Sequence, residues 1–185
     1  MSQDISTVVE SLAQIGRWFE RDGRVPPEVF DAICEYLITT PIELAVLKLG
    51  GNDSEILMVY REDKYFTGWH MPGSVVLPGR TAEGIFPVLL RRELGLEFAR
   101  LRNKPKFVIS MDVMKGSGPD QCNRGQEVNR LYTLWLEEAE AELIQPDDHR
   151  RFFPLNRIPD DVLPHHRTMI ELIWKRRTQP TTEPV

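Results

Sequence analysis

The sequence has little of what marks a nucleic-acid coat, a secreted scaffold or a membrane protein. Basic residues are outnumbered: 23 Lys and Arg stand against 28 Asp and Glu, for a net charge of -5, so a polyanionic partner would need a local basic pocket rather than a broad surface. Cysteine is scarce. Cys34 and Cys122 lie far apart and match no paired metal-ligand spacing, so both thiols read as structural bystanders in a reduced compartment. No stretch approaches the ~20 apolar residues of a membrane span. The start Met1-Ser2-Gln3-Asp4 lacks the basic region and apolar run of a signal peptide. The expectation is a soluble, cytoplasmic chain, without repeats or low-complexity segments.

What is present suffices for one main domain, since 185 residues of which 41% are hydrophobic can bury a substantial core. Ile5, Val8, Val9, Leu12, Ile15, Trp18 and Phe19 recur at helical steps and predict an amphipathic helix that stops near Asp22-Gly23. A second helix opens at Pro26-Pro27 and runs to about Leu37. The texture then changes to short apolar runs, Ile42 to Leu49 and Ile56 to Tyr60, around the turn signal Gly50-Gly51-Asn52-Asp53, which predicts a β-hairpin.

Gly68, Pro72, Gly73, Pro78 and Gly79 predict loops around one short strand. Thr81 is placed to cap a helix to about Leu94, with Pro87 inside it and Gly95 as its stop. Strands are expected at Lys106 to Met114 and Val128 to Leu136, on either side of a polar loop, and a closing helix from Pro164 to Arg177. The result is an α+β domain of sheet layers covered by helices. Its expected organisation is a helical extension over 1–40, the main domain over 41–177 and a frayed tail over 178–185.

The segment from Gly68-Trp69-His70-Met71-Pro72-Gly73-Ser74 to Arg92-Glu93-Leu94-Gly95-Leu96 resembles a Nudix box with its preceding strand. Leu57 to Arg61 resembles the family strand before the box, and Phe153-Pro154-Leu155 through Arg167 its C-terminal pattern, so the likeness covers about Ile42 to Trp174. The resemblance implies a mixed sheet flanked by helices, here preceded by two extra ones. It also implies cleavage of a nucleoside diphosphate linked to another group X, with Mg2+ or Mn2+ held by helix glutamates. These hard cations need oxygen ligands to offset phosphate charge and activate water.

The scaffold half of the pattern survives and the chemical half mostly does not. Laid without a gap on Gly95-Leu96, the pattern puts its first glycine at Ser74, its lone glutamate at Arg80, its Arg-Glu pair at Val88-Leu89 and its Glu-Glu pair at Arg92-Glu93. Leu89, Arg92 and Glu93 thus stand where three carboxylates belong, which leaves Glu93 as the one metal candidate. Arginine repels a dication but grips phosphate oxygens, so Arg80 and Arg92, with Arg91 less favoured, are candidates for an anion pocket. A second register, reading Arg92-Glu93-Leu94 as the Arg-Glu triplet, requires an upstream deletion. It also spends Gly95 inside the helix, at a cost of about 1 kcal/mol relative to alanine.

Each candidate has a plainer alternative. Glu93 beside two arginines reads equally as a solvated ion-pair partner, and exposed helix arginines are common. Trp69 lines a base slot only if its ring faces the cleft, and otherwise packs the core. Arg61, with Tyr60 and Phe66, lies where family members contact the nucleoside. Glu127 is the best base outside the box, against a plainer reading as an exposed strand-edge residue. His165 and His166 point about 100° apart on a helix, so at most one is expected at the cleft. His70 and His149 receive no role.

Three functions follow. The first is nucleotide or phosphorylated-ligand binding with weak or no Mg-dependent pyrophosphohydrolase activity. The second is an active hydrolase using Glu93 with Glu83, Glu97 or Glu127. The third is an interaction module, including a homodimer, held by the N-terminal helices.

Overall fold

The structure, a computed structural model, describes residues 5–22, 25–50, 53–116, 118 and 121–178. The expected turn residues Gly23, Gly51 and Asn52, the side chain of Phe19 and the tail beyond Thr178 lie outside the described residues. Two helices come first, α1 (Ile5–Asp22) and α2 (Pro27–Tyr36), the latter opening on a proline whose missing N–H costs nothing in a first turn. On α1, Ile5, Val8, Val9 and Leu12 are exposed.

The body contains β1 (Pro41–Gly50), β2 (Asp53–Glu62), β3 (Thr67–His70), β4 (Gly73–Val75), α3 (Ala82–Leu94), β5 (Lys106–Lys115), β6 (Gln121–Cys122), β7 (Glu127–Trp135), α4 (Glu138–Ala141), β8 (Arg150–Pro154) and α5 (Pro164–Thr178). The hairpin is β1 against β2, with Leu47 opposite Ile56. Where one short strand was expected between Gly68 and Gly79 there are two, β3 on β2 and β4 on β1, separated by Met71-Pro72. The sheet is mixed: β1 runs parallel to β7 over Ile42 to Leu47, while β5 pairs antiparallel with β7. The fold is therefore α+β with helices on the sheet. No helix of the described residues is long and apolar enough to cross a membrane.

Period-two alternation fixes what each face of β1 meets. Ile42, Leu44 and Val46 join a core with Ile85, Phe86, Leu89 and Leu90 of α3. Ala45 and Leu47 join a second core with Met169, Ile170 and Ile173 of α5. A central strand buried on both faces has no solvent side, so Glu43, which shares its side with Ala45 and Leu47, must be buried on the α5 side. The same count sends Glu127 and Asn129 of β7 to the side of Leu131, which belongs to the α5 core.

The ends of α3 follow from sequence. Thr81 Oγ1 accepts from the Gly84 N–H at 3.1 Å, and Gly95 adopts the left-handed conformation (φ 69°), with its N–H donating to the Arg91 carbonyl at 3.1 Å. The register that buries Gly95 within the helix is incompatible with a helix that ends at Leu94. Pro87 lies inside α3 without ending it.

Gly68 is the tightest backbone site beside the box. Its φ is 145°, and a Cβ there would overlap the Asp161 carbonyl that accepts the Trp69 N–H at 2.9 Å. Gly68→Ala is expected to lose about 3 kcal/mol or more, read as a lowered midpoint in urea unfolding.

Candidate functional site

A cavity of about 230 Å³ sits where the α5 side of the sheet turns polar. Its walls carry Glu43 from β1, Arg61 from β2, His70 from β3, Glu127 from β7, and His165 and His166 from the first turn of α5. Tyr65 and Phe66 add an aromatic edge, Cys122 comes from β6, and Arg124 from the segment joining β6 to β7.

Hydrogen bonds fix the histidine tautomers. His166 Nδ1 accepts the Met71 N–H at 2.9 Å, so its one proton sits on Nε2, 3.3 Å from Glu43 Oε2. A second proton would set Nδ1–H against N–H, and burial already pushes the imidazole down to about 3. His70 Nδ1 lies 2.6 Å from the Met71 carbonyl and His165 Nδ1 3.3 Å from the Gln121 carbonyl, so in the neutral rings both donate from Nδ1 and keep a lone pair on Nε2. Burial lowers each to about 4.

The carboxyls shift the other way. Burial pushes Glu43 up to about 8, with His165 and Arg61 only partly opposing it. Glu127 is likewise raised by burial, although Asn129 Nδ2 donates to its Oε2 at 3.0 Å. At neutral pH the histidines and Glu43 are thus largely uncharged, which leaves Arg61 and Arg124 as the cations of the cavity wall. Arg61 pairs with Asp63, and Arg124 Nη2 lies 3.7 Å from the same carboxylate, so one acid faces two guanidiniums.

Of the residues singled out from sequence, Arg61 and Glu127 reach this wall. Glu127 is only 6% exposed, not a solvated strand edge, because its strand is covered on both faces. Both His165 and His166 line the cavity, where at most one was expected. They sit at the tip of α5, where one ring meets the Gln121 carbonyl and the other the Met71 N–H, so their angular separation puts them on adjoining walls. Cys122 is a buried free thiol on the same wall, with its Sγ 3.6 Å from Glu127 Oε1.

Trp69 is buried and packs edge-on against Tyr60 and Phe153, with centroids 5.3 and 4.9 Å away. Arg80 is exposed. Neither is among the cavity residues. Arg92 and Glu93 are not among them either: Arg92 bonds to the carbonyl of the wall residue Gly73 at 3.3 Å and pairs with Glu93 at 2.6 Å. Sequence reasoning missed Glu43, His70 and Arg124. The signal for Glu43 was an acid at an inward position of an otherwise apolar strand, whereas Arg124 sits in a loop without periodicity.

The residues of α3 do not fit a metal held by helix carboxylates. Leu89, 1% exposed, is packed in the core on the α3 side. Arg92 brings a cation, and Glu93 is engaged by it. Among the described residues no three His, Cys, Asp or Glu side chains are grouped to hold a metal ion.

No family profile matches the chain, and no curated protein sequence does. Solved structures do. A mutT/nudix family protein from Listeria innocua matches over 84% of this chain and 96% of its own at 17% identity, with a TM-score of 0.61. The NUDIX domain of Shewanella oneidensis NrtR, solved with ADP ribose, matches over 88% and 98% at 14% identity and a TM-score of 0.57. An Ap4A hydrolase from C. elegans matches over 76% and 97% at 11% identity and 0.56. Likenesses that span nearly the whole of each relative, with the box segment on a strand, a loop and a capped helix, show that this chain has the Nudix fold.

Proposed function

We propose that the chain binds nucleotides or related phosphorylated molecules through a diphosphate held in this cavity, and that it hydrolyses them weakly or not at all with Mg2+. The observation that carries this reading is the pair Arg61 and Arg124 facing one Asp63 at the cavity wall, which leaves guanidinium donors for an incoming anion. A volume of about 230 Å³ is below the roughly 300–1,000 Å³ of typical small-molecule pockets, and suits a phosphate or diphosphate moiety better than a whole dinucleotide. The ADP ribose found on one structural relative makes a diphosphate-linked nucleoside the first probe.

The low-activity half of the reading rests on Leu89 and Arg92 in the ungapped register. A buried aliphatic group and a cation at two ligand positions leave Glu93 alone, and a single carboxylate rarely holds Mg2+ against solvent. Domain organisation follows the same lines: a helical extension over 1–40 and a Nudix-type domain over 41–177.

The test is a product assay with ADP-ribose, nucleoside triphosphates and dinucleotides, with and without Mg2+ or Mn2+, on wild type and Glu93→Gln. The expected outcome is trace turnover that neither metal nor the substitution changes. Metal-dependent turnover abolished by Glu93→Gln would instead identify an active hydrolase.

A further inference from the structure

We infer that helix α2 is part of the ligand site, where Phe30 holds Arg124 in position to grip a phosphate. This rests on the diphosphate-binding reading above and names a residue and an element that the box resemblance does not reach.

Arg124 is held for something beyond its present contacts. Its side chain is only 16% exposed, and its Nε is buried with no hydrogen-bond partner among the described residues. Its nearest acid, Asp63, is 3.7 Å away and is already engaged by Arg61. The unpaired Nε–H leaves this guanidinium undercompensated, so an anion that reaches its other N–H groups from the cavity adds pairing that the present contacts do not supply.

What fixes this guanidinium is aromatic. The Phe30 ring of α2 lies 5.7 Å from Arg124 Cζ, and the Tyr65 ring lies 5.2 Å away. Two ring faces restrict the plane of the fork without occupying its N–H groups, so the donors stay free for a ligand. The backbone is pinned from the same helix: a Cβ on Gly125 would overlap the Cys34 carbonyl, so α2 and the loop carrying Arg124 lie in direct backbone contact. Beyond α2, the Thr39 N–H donates to the Gln126 carbonyl at 3.1 Å and the Val128 N–H to the Thr39 carbonyl at 2.8 Å. On the other wall, Asp31 of α2 pairs with Lys64 beside Tyr65. The N-terminal extension thus holds both sides of the cavity mouth.

Donor geometry gives the ligand class. Arg61 and Arg124 share one carboxylate and both line the cavity, so an anion with several oxygens, such as a diphosphate, matches their guanidinium donors.

The experiment is titration calorimetry of the full chain with inorganic pyrophosphate and with ADP-ribose, on wild type, Phe30→Leu, Phe30→Tyr, Arg124→Ala and the Phe30→Leu/Arg124→Ala double variant, each checked by its melting temperature. Arg124→Ala is expected to weaken both probes about tenfold to a hundredfold, as for a lost hydrogen bond to a charged group. Phe30→Leu is expected to weaken them about fivefold, Phe30→Tyr to restore wild-type binding, and the double variant to bind no more weakly than Arg124→Ala. A merely structural Phe30 would instead add its loss to that of Arg124. Wild-type affinity in Phe30→Leu while Arg124→Ala still weakens binding overturns this inference and leaves the binding function standing, whereas wild-type affinity in Arg124→Ala overturns both. Failure of the wild type to bind either probe overturns both.

Discussion

Placing a carboxylate on helix α3 by Leu89→Glu is expected to unfold the protein rather than create a metal site. Leu89 sits with Ile85, Phe86, Leu90 and Leu134 in the core between α3 and the sheet, fully out of water. Losing its burial removes about 2 kcal/mol. An unpaired carboxyl in its place adds several kcal/mol more, whether it ionises or takes up a proton. Together these approach the roughly 5–15 kcal/mol that holds a domain folded. Circular dichroism should show lost cooperativity, whereas Leu89→Met, which nearly conserves volume, should cost less than about 1.5 kcal/mol. A folded Leu89→Glu protein that gains Mg2+-dependent turnover would mean that this face of α3 opens to the cavity.

The second large effect is on pH dependence. His70 and His165 titrate near 4 and His166 near 3 when folded, against 6.5 in an ordinary environment. As pH falls from 6.5 toward 4, the unfolded chain takes up three protons that the folded chain refuses, so the histidines lower stability toward acid. Glu43 acts in the opposite sense. Folded it keeps its proton up to about 8, while unfolded it releases it near 4.5, so stability falls as pH rises across that window. Glu127, raised by burial, adds to the same limb.

Between 4.5 and 6.5 three histidine protons outweigh the proton that Glu43 keeps, with Glu127 acting in the same sense as Glu43, and stability rises with pH. Above 6.5 the histidines no longer contribute, Glu43 remains, and stability falls. Each uncompensated proton contributes about 1.4 kcal/mol per pH unit. Melting temperature against pH should therefore peak near 6.5, and Glu43→Gln should flatten the alkaline side. A melting temperature that stays level from pH 6.5 to 8.5 in the wild type would contradict the buried, protonated state of Glu43.

The fold was legible where local rules and burial agree. Thr81 and Gly95 marked both ends of α3 because a cap acceptor and a left-handed stop act within one turn. The hairpin of β1 and β2 and the closing helix α5 were visible from periodicity. β8 was not, since Arg150-Arg151-Phe152-Phe153-Pro154 shows no alternation and takes its conformation from pairing with β2.

The cavity was harder to see because its residues are scattered over six segments and each alone resembles a solvated side chain. Glu127 was visible as a possible base but not as a buried one, since only the parallel pairing of β7 with β1 reveals that both its faces are covered. The adjacent histidines misled through a rule that holds along a helix and fails at its tip, where neighbours meet different walls. Arg124 had no signal at all, because its environment is made by Phe30 and Tyr65, distant in sequence.

The most direct test of the account is calorimetric titration of ADP-ribose into the wild-type protein, once in EDTA and once in Mg2+, with the contents analysed for product afterwards. An arginine-held diphosphate requires binding in EDTA of similar strength to that in Mg2+, with ADP-ribose recovered intact. Binding that appears only with Mg2+, together with conversion of ADP-ribose to products, would contradict it.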